Sequence, residues 1–171
     1  VALGLLLGVL LFVVAPARLT AWLGFHDRVG FGLVDGLFRL VAFVLYLLLI
    51  SQWKEMARVL GYHGAEHKAI HALESRAPLT PESVQGFPRL HPRCGTSFLF
   101  LILILSIATF SFLSGPIWVK LGGRLLLLPV ISGIGYELIK LSSKHGQNNF
   151  VKIVTAPGLW LQRITTKEPT D

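Results

Sequence analysis

The chain has 171 residues, 53% of them hydrophobic and 15% charged, with a formal net charge of +7. That apolar content excludes an ordinary soluble globule and points to a membrane protein. The basic residues collect beside apolar runs, so anionic lipid headgroups and membrane topology account for the charge, and nucleic acid is not expected as a partner.

Residues 1–24 read as a first transmembrane helix, since Val1 to Ala15 is nearly all Leu, Val, Ala and Gly, followed by Pro16, Arg18, Trp22 and Phe25. A signal peptide would carry a basic segment before the apolar run and a small-residue cleavage site after it, and this stretch has neither. Spanning takes about 20 residues, so the helix continues to Leu23 or the chain starts inside the membrane. His26 to Gly30 reads as a polar turn, and residues 31–51 as a second span. Asp35 and Arg39 lie four apart on one face of that span, where each neutralises the other. They read either as a structural ion pair near the interface or as a functional pair within the membrane.

Residues 52–95 leave the lipid through Trp53, Lys54 and Arg58, an aromatic and basic boundary, and the helix is expected to run to about Ser75. Ala77 to Glu82 breaks it, and Thr80 followed by Pro81 starts a short helix over 82–86. Pro88 and Pro92 keep the next segment extended. A third span is expected over 96–113, ended by Ser114-Gly115-Pro116. A fourth covers 125–141, with Pro129 arguing for a kink, Gly133 and Gly135 for close helix contact, and one carboxylate, Glu137. Residues 142–171 mix basic and apolar side chains as an interfacial tail does. The expected fold is therefore all-α: one polytopic membrane domain of four transmembrane helices with a helical loop between spans two and three.

Four spans put the loop and the tail on one side. Lys54, Arg58, Lys68, Arg76, Arg89 and Arg93 in the loop, with Lys140, Lys144, Lys152, Arg163 and Lys167 in the tail, outnumber Arg18, Arg28, Lys120 and Arg124 opposite. The richer side is expected to be cytoplasmic. A reduced cysteine fits that compartment.

The chemistry concentrates in the loop. His63, His67 and His71 recur at spacing four on one broad helical face, but His63 and His71 are about 12 Å apart along the axis, so only an adjacent pair can share an ion. Glu66 beside His67 completes His-x-x-Glu-His, the inverzincin arrangement in which two His bind Zn and the Glu polarises water. His91 and Cys94 add an imidazole and a thiol in a Pro-rigidified turn, and zinc takes such ligands at about 2.0–2.3 Å. The expected metal ligands are His63 and His67 with one or both of His91 and Cys94: four would close a structural site, and three would leave a position for water with Glu66 as the base. His71, Glu74 and Glu137 serve as orienting partners or alternative ligands. Without a metal, Cys94 is simply a buried residue or a free thiol, His91 caps a helix or pairs with Glu82, and Glu137 pairs with a basic residue of a neighbouring helix.

Four motifs carry a resemblance: Tyr62-His63-Gly64-Ala65-Glu66-His67-Lys68, His91-Pro92-Arg93-Cys94-Gly95-Thr96-Ser97-Phe98, Leu128 to Glu137, and Pro157-Gly158-Leu159-Trp160-Leu161-Gln162 with Thr165 to Pro169. With these the chain resembles the YqhQ-like family, bacterial integral-membrane proteins of unknown function described as predicted metal-dependent enzymes. The resemblance covers about residues 30–169 and implies a bacterial cytoplasmic membrane. The family carries a Gly-rich segment before its first span that is not in this sequence, so an N-terminal part of any site is expected to lie outside it.

Two functions follow from different classes. One is a zinc-dependent membrane hydrolase. The other is a non-catalytic interaction or assembly factor, in which the His/Cys cluster is a structural clamp and the basic surface meets a membrane-protein partner or anionic lipid. A transporter would need Asp35, Arg39 and Glu137 on one path, and their different depths count against it.

Overall fold

The structure is a computed structural model that describes residues 2–25, 27–113, 116–144 and 148–169. His26 and the Ser114-Gly115 pair, both expected in turns, lie outside the described residues, as do the side chains of Arg28, Lys120 and Lys144.

Every regular element among the described residues is helical. Helix α1 runs from Ala2–Val9 through a π-helical turn, Leu10–Val14, into Ala15–Trp22. The turn falls just before Pro16, which has no N–H and crowds the carbonyl four residues back; the wider π register relieves both. Helix α2 covers Arg28–Ile50. It stops where Ser51 and Gln52 both donate side-chain hydrogen bonds to the Leu48 carbonyl, at 2.8 and 3.2 Å. Trp53 is extended, and α3 begins afresh at Lys54–Glu74, so the His-bearing helix is separate from the span before it.

The short helix α4, Pro81–Gln85, forms as expected, with the Thr80 hydroxyl accepting from the Ser83 amide. Helices α5 (Gly95–Phe110), α6 (Ile117–Lys144, with Pro129 inside) and α7 (Asn149–Thr165) complete the chain.

Among the described residues three stretches are long and apolar enough to cross a bilayer: Ala2–Trp22, Val29–Ile50 and Gly122–Ser142. The expected third span is the apolar helix α5, whose 16 residues reach about 24 Å at 1.5 Å per residue, short of a hydrocarbon core of about 30 Å. Three candidate spans therefore meet the length requirement where four were expected.

The contacts divide the chain into two compact units. The first comprises Val1–Tyr46 and Ile102–Ile134. Within it Gly32 and Gly36, four apart, let α2 approach the end of α5 closely. A Cβ on Gly36 would stand 2.3 Å from Ile107, and one on Gly32 2.8 Å from the Ser111 backbone. Such small-residue contacts are how apolar helices associate where burial from water no longer drives them together.

The second unit comprises Leu47–Leu101 and Gly135–Asp171. Its organising element is α7, which buries Val151, Gly158, Leu161, Gln162 and Thr165 along one helical stripe while Ile153 and Trp160 stay exposed. A Cβ on Gly158 would stand 2.6 Å from Ser97. Beyond α7 the chain lies against α3: the Lys167 amide donates to the Leu60 carbonyl at 2.9 Å, and the Lys167 ammonium to the Ser51 carbonyl at 2.6 Å. Glu168 pairs with Lys68 at 2.8 Å and Arg89 at 3.3 Å.

Candidate metal centre

Helix α3 sets out His63, Glu66, His67, His71 and Glu74 at spacings of three and four, so they share one face. The Leu90 to Cys94 segment passes in front of that face, held by Gln162 of α7. The buried Gln162 amide accepts from the His91 N–H at 2.8 Å and donates to the His91 carbonyl at 2.7 Å and the Ser97 hydroxyl at 2.6 Å. A single side chain thus satisfies both backbone polar groups of a residue that is only 3% exposed.

Among the described residues two groups of potential ligands result: His63, His67 and Cys94, and separately His71, Glu74 and His91. Within each, the ligand atoms lie within 4.8 Å of one another. The structure thus brings His63, His67 and Cys94 together, and sets His91 with the residues expected to be orienting partners. Glu137 is in neither group; it is exposed and pairs with Lys140 one turn along its own helix, at 3.3 Å. Asp35 and Arg39 form the expected pair at 2.8 Å in the first unit.

The first group is arranged for N and S donation. His63 Nδ1 is 2.8 Å from the Thr165 carbonyl and His67 Nδ1 is 2.6 Å from the Arg89 carbonyl. A ring nitrogen facing a carbonyl must carry the proton, so in each neutral imidazole the lone pair is on Nε2. That is the tautomer-fixing contact that metal-bound histidines make. His63 Nε2 is 3.3 Å from Cys94 Sγ. Arg89 is itself fixed, its guanidinium donating to the Thr166 carbonyl and hydroxyl.

Burial opposes a charged thiol at Cys94, but hydrogen bonding to His67, to the Thr96 hydroxyl and backbone amide, and to His63 outweighs it and brings the thiol down to about 6. The thiol proton passes to the Nε2 lone pair of His67, and the imidazolium donates it back to the sulfur. The Thr96 amide belongs to the N-terminus of α5, where unpaired N–H groups favour an anion. Burial likewise opposes a charged His67, yet its bonds to Cys94 and the Arg89 carbonyl raise it above the ordinary imidazole value.

The second group is wired differently. His91 Nδ1 accepts the Arg93 N–H at 3.2 Å, so its proton sits on Nε2 and is shared with Glu74 at 3.4 Å. Burial, followed by the neighbouring His71, holds His91 below the ordinary value. His71 Nε2 donates to the Leu90 carbonyl at 2.9 Å, and Glu74 also pairs with Arg93. With its Nε2 proton committed, His91 has no lone pair to offer beside Glu74, and this group is a hydrogen-bonded relay.

A cavity of about 270 Å³ adjoins both groups, and Glu66, Ile70, Arg93 and Gly95 complete its wall. Reading from residues alone missed Gln162, Thr165, Arg89 and Lys68. Lys68, one position past His67, is only 5% exposed, its ammonium held by the Gln85 carbonyl at 3.1 Å and by Glu168, partners that local sequence does not reveal.

The whole chain, residues 1–171, matches the family described as "Protein of unknown function (DUF1385)". It is also similar to "Uncharacterized protein YqhQ" of Bacillus subtilis (strain 168), 39% identical over 139 residues. That alignment covers 81% of this chain and 44% of the relative, so the chain spans less than half of the relative's length. No solved structure matches.

Proposed function

The chain belongs to the DUF1385 family, and we propose that it is a zinc-dependent hydrolase of the bacterial cytoplasmic membrane, with His63, His67 and Cys94 as the metal ligands and Glu66 as the general base. The observation that carries this reading is the convergence of two carbonyl-anchored imidazoles and one thiol beside a cavity that Glu66 also lines. Two N donors and one S donor suit zinc, and a site with three protein ligands keeps a position for water, whereas a structural clamp is closed by four. His91, committed to Glu74, does not supply the fourth, which favours an enzyme over a clamp.

Zinc bound there would polarise a scissile carbonyl or phosphoryl group and acidify a water. The chain's own residues do the rest. The Thr165 and Arg89 carbonyls hold the two imidazoles in the ligating tautomer. Glu66, at the cavity wall beside His67, accepts the proton of the attacking water. Arg93, fixed by Glu74, presents its guanidinium to the charge that develops on the substrate oxygen. His91, neutral at pH 7, keeps Glu74 oriented through its Nε2 proton.

The site is read as cytoplasmic, α5 as a short third span completing four, and bilayer lipid and a membrane-protein partner as the surroundings in which the enzyme acts. The test is elemental analysis of the detergent-purified chain, wild type beside His67→Ala and Glu66→Gln. About one equivalent of zinc in the wild type, lost in His67→Ala and kept in an inactive Glu66→Gln, is the expected result. Absence of metal from the wild type, or loss of metal from Glu66→Gln, removes the roles assigned here.

A further inference from the structure

The first unit contains a cavity of its own, about 230 Å³, whose polar lining is Asp35, Arg39, Ser106, Ser111 and Arg124. Two of its groups are short of a partner: one Asp35 oxygen, which is buried where polar atoms ordinarily have one, and the guanidinium of Arg124, which is exposed. Asp35 Oδ2 accepts from Arg39 at 2.8 Å, but its Oδ1 is buried with no hydrogen-bond partner among the described residues. Arg124 rests over the Phe110 ring, 5.6 Å from the centroid, and among the described residues no carboxylate pairs with it.

The two requirements are opposite in kind. Arg124 calls for an anion, and Asp35 Oδ1 calls for a hydrogen-bond donor. A metal cation would answer Asp35 but meet a lining with two guanidinium groups against one carboxylate. A bare inorganic anion would answer Arg124 and be repelled by Asp35. The depth of the cavity narrows the choice further. Asp35 lies in the second turn of the span Val29–Ile50, Arg124 in the first turn of Gly122–Ser142, and Ser111 just past the end of α5. Charged side chains near span ends sit at headgroup level, where phosphate is the abundant anion.

We propose that this cavity binds a phosphate ester that also carries a hydrogen-bond donor, the phosphate on Arg124 and the donor, an amine or a hydroxyl, on Asp35 Oδ1. Phosphatidylethanolamine and phosphatidylglycerol headgroups have this chemistry, and so does soluble phosphoethanolamine. Phosphatidylcholine has the phosphate without a donor. The volume suits such a group, being several times the roughly 30 Å³ that one water occupies. Arg39, already paired, holds Asp35 in place, and the Gly32 and Gly36 contacts fix the helices that form the walls. The inference uses no residue of the His/Cys centre and stands independently of the hydrolase reading.

The test is native mass spectrometry of the full chain in detergent, with dioleoyl phosphatidylethanolamine, phosphatidylglycerol or phosphatidylcholine added at equal concentration. Retention of the two donor-bearing lipids about tenfold above phosphatidylcholine is expected, the size of effect one charge-assisted hydrogen bond produces. Arg124→Gln should lower retention of all three lipids, phosphatidylcholine included, while Arg124→Lys restores it, and Asp35→Asn should narrow the preference for the donor-bearing lipids. Soluble phosphoethanolamine that displaces the lipid would identify a free phosphate ester as the ligand; failure to displace it, with the preference intact, would identify the lipid. Equal retention of all three lipids with no phosphoethanolamine effect overturns the proposal. So does wild-type retention of the lipids in Arg124→Gln.

Discussion

His63 Nδ1 and the carbonyl oxygen of Thr165 are 2.8 Å apart although 102 residues separate them in sequence. The contact ties the orientation of an imidazole on α3 to the last residue of α7. The carbonyl also decides which nitrogen of His63 faces Cys94. The C-terminal segment is thus part of the centre's geometry, and disturbing it should be felt at the ligands before it is felt in the spans.

Gly64 is where that segment is most exposed to a small change. A Cβ there would stand 2.0 Å from the Lys167 carbonyl oxygen, which is backbone and has no rotamer to give. Gly64→Ala should therefore push residues 165–168 away from α3 and destabilise the protein by about 1–3 kcal/mol, as overpacking does. Gly61, one turn earlier on the same helix, has nothing within 4 Å of where an alanine methyl would sit, so Gly61→Ala should be neutral or stabilise by up to about 1 kcal/mol through helix propensity. Thermal unfolding of the two variants in detergent measures the contrast. Equal effects would mean that the Lys167 segment does not bear on α3 as described.

Gln162 offers a second test of the same architecture. Gln162→Leu conserves volume but leaves the buried N–H and C=O of His91 without partners, each worth about 1–3 kcal/mol when orphaned. A melting temperature lowered by several degrees is expected, with alkylation of Cys94 becoming faster as the His91–Cys94 segment loosens. An unchanged melting temperature would show that solvent reaches these groups.

These contacts mark the boundary of what the sequence made legible. Helix positions followed from apolar runs, from Thr80-Pro81, and from the spacing of four along α3, all of which are local. The juxtaposition of His63 with His67 was equally local. The separation of His91 from Cys94 into different groups was not, because it depends on Gln162 gripping the turn from α7 and on Arg93 donating its amide to His91. Nor does composition distinguish a tail lying on a membrane from one whose helix also buries Leu161 and Gln162. The pattern is amphipathic in both cases, and only the partner differs. The length of α5 was overestimated because apolar residues continue past Phe110, where the helix itself ends.

Cys94 should report the electrostatics of the centre directly. In metal-free protein the iodoacetamide reaction rate, followed against pH, should rise with a midpoint of about 6, well below that of an ordinary thiol. His67→Ala should move the midpoint upward, since His67 is the strongest of the groups that lower it. The same shift makes a stability statement. The folded value lies below the unfolded one, so the contribution is fully present above about 9 and is lost as the pH falls through about 6. A midpoint near 9 in the wild type would show that His63, His67 and Thr96 do not act on the thiol as the geometry implies.

The division into two groups makes the sharpest demand on metal stoichiometry. If His63, His67 and Cys94 are the ligands, His63→Ala and Cys94→Ser each remove a donor and should lower affinity far more than tenfold, leaving the purified protein nearly metal-free. His71→Ala and Glu74→Gln should keep one equivalent, because His71 is spent on the Leu90 carbonyl and Glu74 on Arg93 and His91. Glu74→Gln should still impair turnover, since it releases the guanidinium that faces the cavity. Two equivalents in the wild type, falling to one in either set of variants, would instead show that His91 exchanges its Nε2 proton for a second ion and that the relay is a ligand group.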